Sequence, residues 1–96
     1  MNRYELLLVV KPDMEEEARN ALFTRFQEII TTDGGEIEEV DEWGKRRLAY
    51  PINYINDGYY MLMNFKAKPE LPAELERNFR ISEDVLRFMI VKKDAE

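Results

Sequence analysis

The 96-residue chain has no cysteine and no histidine. Their absence removes disulfides, thiolate and imidazole metal ligands, cysteine nucleophiles and histidine general bases together, so a soft-metal carrier and most nucleophilic enzymes are excluded. Neither cofactor nor metal is expected. No apolar run approaches the roughly 20 residues of a membrane helix, and the first residues lack a charged-then-apolar signal pattern. A reduced, cytoplasmic setting fits these absences. Glycine and proline number only four each, so every one can be read as punctuation. Positive charge is also in deficit, with a formal net charge of −6. Such a chain does not coat nucleic acid indiscriminately, because that binding rests on neutralising phosphates. Any contact with RNA has to be local.

What is present fits one domain over residues 1–96, since a chain of this size buries roughly 60 to 65% of its unfolded surface. Arg3 to Val10 reads as a central strand with Tyr4, Leu6, Leu8 and Val10 on one side. Pro12 ends it, and Asp13 with Glu16 has the spacing of a capping box. A helix is predicted from about Met14 to Thr32, burying Ala18, Leu22, Phe26 and Ile29 or Ile30, and stopped by Asp33, Gly34 and Gly35. A second strand starts at Glu36, with Gly44 as a natural bulge site. Asn53 to Gly58 reads as a loop ending in an Asn-Asp-Gly turn signal. Tyr59 to Lys66 is the third strand, with Met61, Met63 and Phe65 opposite Tyr60, Leu62, Asn64 and Lys66. Pro69 and Pro72 open a short helix whose buried stripe is Leu75 and Phe79. Val85 to Val91 is the last strand, and a short tail, 92–96, frays.

Strand, helix, strand, strand, helix, strand is the α+β, ferredoxin-like βαββαβ order. Two right-handed crossovers place both helices on one face of a four-stranded antiparallel sheet. If Leu6, Leu8, Leu48, Tyr50, Met63, Phe65, Phe88 and Ile90 face the helices, strand parity puts Arg3, Leu7, Val9, Arg47, Tyr60, Leu62, Arg87 and Met89 on the open side. Arginines for phosphates, an aromatic ring and aliphatic groups would then share one uncovered surface, suited to RNA or to a protein partner.

The densest signal is Gly44-Lys45-Arg46-Arg47-Leu48-Ala49-Tyr50-Pro51-Ile52-Asn53. Three cations precede an alternating segment, and Pro51 has no amide for a ladder bond, which suits an edge or a strand end. This stretch closely resembles the signature of the bacterial small-subunit ribosomal protein family numbered six. The resemblance extends to Arg3-Tyr4-Glu5, Asp57-Gly58-Tyr59-Tyr60, Arg80-Ile81 and Val91-Lys92, so it spans nearly the whole chain. It implies a structural, non-enzymatic component of the cytoplasmic ribosome. The implied role is to bind the central domain of small-subunit (16S) ribosomal RNA together with small-subunit ribosomal protein eighteen. Carried over by residue, the resemblance gives Arg3, Tyr4, Arg47 and Arg87 to RNA. It gives Lys45, Arg46, Arg47, Leu48, Ala49, Tyr50 and Tyr60 to the protein partner.

Three other readings compete on the same fold. A hydrolase of the acylphosphatase type needs a phosphate-cradling loop after the first strand, but Lys11-Pro12-Asp13 has no glycine, and Pro12 has no amide to donate. An RNA-recognition-motif domain needs closely spaced exposed aromatics on its third strand, whereas parity exposes only Tyr60 in Tyr59-Tyr60-Met61-Leu62-Met63. A homodimeric ferredoxin-like regulatory or protein-interaction domain without RNA binding is the main alternative.

Overall fold

A computed structural model describes residues 1–52 and 54–93. Asn53, which closes the signature stretch, and residues 94–96 of the expected tail lie outside the described residues. The order is β1 (Asn2–Val10), α1 (Glu16–Thr32), β2 (Glu36–Ile52), β3 (Ile55–Ala67), α2 (Leu71–Ile81) and β4 (Val85–Lys93). All neighbours in the sheet, β2-β3-β1-β4, are antiparallel. The expected ferredoxin-like α+β architecture is the one observed.

β1 holds the centre because both its faces are apolar. Leu6 opposes Met63 and Ile90, and Leu8 opposes Met61 and Phe88. With Tyr4, Val10 and Phe65, these residues meet the helices in one core. Each fully buried aliphatic or aromatic side chain contributes roughly 1.5 to 3 kcal/mol to stability. α2 adds Leu71, Leu75 and Phe79, with Pro72 accommodated in its first turn. Phe79 meets Phe26 edge-on at 4.7 Å and Phe88 at 5.2 Å, tying both helices to β4.

α1 differs from expectation at its start. Its buried residues are Phe23, Phe26 and Ile30, and Ala18 is exposed. The inward position of the first turns is Arg19, whose guanidinium lies 3.9 Å from the centre of the Tyr59 ring. The capping box does not form: Glu15 is the N-cap and makes no side-chain capping bond. Beginning at Glu16 leaves Asp13 in the preceding turn, out of reach of the amides it would cap. The far end behaves as expected. Gly34, at φ 88°, donates its N–H to the Thr31 carbonyl, and Gly35 donates to that of Ile30, which is a Schellman closure.

The hairpin of β2 and β3 is longer than expected. Ile55 to Gly58 are strand and not loop, and Ile52 opposes Ile55. Gly58 sits in the strand because it needs to be small: a Cβ there would collide with Val9 Cγ1 and lie 3.2 Å from Leu48 Cδ2. At the other end Lys92 and Lys93 do not fray, since Tyr4 and Arg3 pair with them in β4.

Charge follows the layers. Residues 13–33 and 68–84, which supply the helices, contain eleven acidic and five basic side chains, while the rest of the chain contains nine of each. The helical segments therefore account for the whole net charge, while the four strands together carry eight basic and seven acidic side chains.

Candidate nucleic-acid and partner interface

Opposed residues of an antiparallel pair project from the same side of the sheet, so register decides which side chains share the open face. Leu7 opposes Leu62 and Met89, and Val9 opposes Tyr60 and Arg87. None of these six belongs to the core under the helices. Val9 is nevertheless buried, covered on the open side by Tyr60 and Leu48 around Gly58. Leu7, Val9, Tyr60, Arg87, Phe88 and Met89 line a hollow of about 220 Å³ on this face. The expected placement of Leu7, Val9, Tyr60, Leu62, Arg87 and Met89 is therefore the one found.

β2 departs from expectation because of its bulge. Gly44 has φ 86°, and the register shifts between Glu42 and Gly44, leaving Trp43 as the extra residue. Beyond it Arg46 opposes Gly58 on the Tyr60 side, whereas Lys45 opposes Tyr59 and Arg47 opposes Asp57 on the other. Arg47 is thus not on the open face, and Arg46 is. Leu48 belongs with Arg46 and is half-buried beside Val9, outside the helix-side core. Tyr50 is 76% exposed and packs in no core. An extra residue inverts every parity counted through it.

The bulge builds a stack. Trp43 lies on Tyr60 with centroids 6.2 Å apart and planes 11° from parallel, and the Arg46 guanidinium sits 5.1 Å from the Trp43 ring centre. The indole N–H donates to Asp41 Oδ2 at 3.0 Å. On the helix side of the same hairpin, Tyr59 donates its hydroxyl to Glu42 Oε1 at 2.9 Å. Burial first, then this bond and the Glu42 charge, raise the Tyr59 phenol above its ordinary pKa, with Arg19 opposing them.

The other end of the open face is engaged with itself. Lys66, Arg3 and Lys93 face one another across β3, β1 and β4. Glu38 reaches Arg3 at 3.5 Å and Lys66 at 3.8 Å. Lys93 Nζ donates to Asn64 Oδ1 at 3.0 Å, and Asn64 Nδ2 donates to Glu39 Oε1 at 3.4 Å. By contrast, Lys45, Arg46, Arg47 and Arg87 make no salt bridge to any described residue. Tyr4, expected at the RNA, is 6% exposed and stacked on Phe65 at 5.5 Å, so its ring belongs to the core.

The signature strand continues past the body. The last partner of β1 on β3 is Tyr59, so the pairs Arg46 with Gly58, Arg47 with Asp57, and Ile52 with Ile55 form a two-stranded arm beyond it. Ala49 and Tyr50 are exposed on this arm. Sequence reasoning gave no role to Trp43, although the chain's single tryptophan next to a bulge glycine was a usable signal. It also passed over Lys66, which shares the parity of Tyr60 and Leu62.

Among the described residues no group of three or more acidic side chains is arranged to hold a metal ion, and no helix is long and apolar enough to cross a membrane. The family model described as Ribosomal protein S6 matches residues 3–92. A small ribosomal subunit protein bS6 of Clostridium novyi is 54% identical over 94 residues, covering 98% of this chain and 99% of the relative. That of Moorella thermoacetica is 43% identical over 96 residues, covering 100% and 98%. Among solved structures, the crystal structure of 30S ribosomal protein S6 from Thermotoga maritima superposes with a TM-score of 0.89 at 29% identity, over 96% of this chain and 87% of that one. The C-terminal domain of MgtC from Mycobacterium tuberculosis, at 14% identity and a TM-score of 0.61, shares the fold alone. These relatives are named as a ribosomal component and not as an enzyme. With the signature strand, the bulged hairpin and the four-stranded sheet all in place, the chain belongs to the ribosomal protein S6 family of the small ribosomal subunit.

Proposed function

We propose that this chain, acting as a single domain on the cytoplasmic ribosome, binds the central domain of small-subunit ribosomal RNA together with small-subunit ribosomal protein eighteen. One observation carries the reading. The open sheet face joins an apolar hollow to two arginines, Arg46 and Arg87, that no described carboxylate neutralises. A face that is apolar at its centre and cationic at its margin suits a protein and a phosphate backbone side by side.

Within this reading Arg87 contacts RNA directly, and Arg3 does so by exchanging Glu38 for a phosphate. Tyr4 supports Arg3 from the core and takes no part in stacking. Arg46, Leu48 and Tyr60 meet the protein partner on the open side. Lys45, Arg47, Ala49 and Tyr50 offer it the remainder of the arm. With a net charge of −6, the isolated chain binds RNA weakly, and the partner has to join first.

Sedimentation of the chain alone, with protein eighteen, and with a central-domain RNA fragment tests this. The expected result is a heterodimer, then a ternary complex. Arg46→Glu and Arg87→Glu should each weaken the ternary complex about 10- to 100-fold, the equivalent of a lost charge-assisted hydrogen bond, with an unchanged circular dichroism spectrum. A stable homodimer that ignores both ligands would instead favour a regulatory sheet domain.

A further inference from the structure

The arm ends on a side chain that the fold does not use. Tyr54 is 99% exposed, so its ring packs against none of the described residues. Its backbone is at φ 67°, the left-handed region that glycine enters freely and a bulky aromatic residue enters only under strain. Folding therefore gains nothing from the ring and is opposed by the backbone angle the residue must hold. A feature that costs stability and makes no internal contact points to a use outside the chain.

Its surroundings say what kind of use. From Gly44 to Ile55 the described side chains include three cations, Lys45, Arg46 and Arg47, and no carboxylate, on a chain that is otherwise acidic. Asp57, opposite Arg47, is the nearest acid on the facing strand. A second exposed ring, Tyr50, lies on the same arm. Cations tracking a backbone beside outward-pointing aromatic rings are the pattern of single-strand recognition, in which bases stack on rings while phosphates meet the positive groups.

We propose that the tip of the β2–β3 arm is an RNA contact in its own right, separate from the open sheet face, and that Tyr54 stacks on an unpaired base whose flanking phosphates meet Lys45, Arg46 or Arg47. The site extends the proposed assembly and rests on it. Loss of a single stacking ring reduces single-strand affinity by about tenfold in comparable platforms.

The test uses the whole chain with protein eighteen and a fluorescent central-domain RNA fragment, read by anisotropy, for wild type, Tyr54→Gly and Tyr54→Phe. The expected result is about a tenfold loss for Tyr54→Gly, retention within about twofold for Tyr54→Phe, and a melting temperature for Tyr54→Gly equal to or above that of wild type. If wild type fails to bind the fragment, the assembly reading itself falls, and this one with it. If wild type binds and Tyr54→Gly binds equally well, only the tip contact is overturned. It is also overturned if Tyr54→Gly melts lower, which would make the ring structural, or if that variant loses pairing with protein eighteen before RNA is added, which would make the tip a protein contact.

Discussion

Gly58 shows how a single residue can be misread when composition is used without packing. In Asn56-Asp57-Gly58 it has the look of a turn, yet it is buried in β3, where Val9 and Leu48 close over the space a side chain would take. Val9 is β-branched and fixed at the centre of the sheet, so it has little room to retreat. Gly58→Ala should therefore destabilise the chain by about 1 to 3 kcal/mol through overpacking, read as a lower urea midpoint at unchanged slope. Tyr59 offers a second test. Its phenol is raised, chiefly by burial and then by Glu42. A group whose folded pKa is raised contributes stability that is fully present below its unfolded pKa of about 10 and is lost as pH climbs through the folded value. Wild type should lose stability over that alkaline interval by more than Tyr59→Phe does. Parallel urea titrations from neutral pH upward would show the two curves converging.

At the scale of elements, β1, β3 and α2 were legible because nothing interrupts their periods. Leu6 and Leu8 alternate, Met61, Met63 and Phe65 alternate, and Leu75 and Phe79 stand four apart, as the structure has them. The reading slipped where a local choice broke the count. The bulge at Gly44 inserted Trp43 and so exchanged the faces of Arg46 and Arg47, which the assumption that Leu48 and Tyr50 face the helices placed the other way round. In α1 the cation–π contact of Arg19 with Tyr59 drew that residue inward and left Ala18 outside. These differences have measurable consequences. Leu75→Ala, emptying a fully buried site in α2, should cost about 2 to 5 kcal/mol. Leu48→Ala, in a half-buried place on the open face, should cost under about 1.5 kcal/mol. Thermal melts of the two variants would separate them, and equal losses would return Leu48 to the core. The candidate site was legible as a surface but not as a set of partners. Tyr4 and Leu7 lie three apart on one strand and so on opposite faces, and only the packed helices decide which of them meets solvent.

For the whole molecule the question is how an acidic protein would bind a polyanion in the proposed assembly. The proposed contact involves few phosphates, so the dependence on salt should be shallow. A single-stranded contact of about two to four phosphates gives a slope of log affinity against log salt near −1.5 to −3. Arg87→Glu should reduce the magnitude of the slope by about 1, whereas Glu74→Gln, on the exposed surface of α2, should leave it unchanged. Affinity measured at several ionic strengths decides between them. The segregation of charge by layer has a further effect. With the surplus negative charge held by the helical segments and one net positive charge on the strands, the chain has a dipole moment as well as a net charge. Near a nucleic acid, within a screening length of about 8 Å at physiological salt, the field of the phosphates would exert a torque that turns the helices outward before any atoms touch. The back of the molecule acts as a rudder, and approaches in the wrong attitude are turned away rather than trapped.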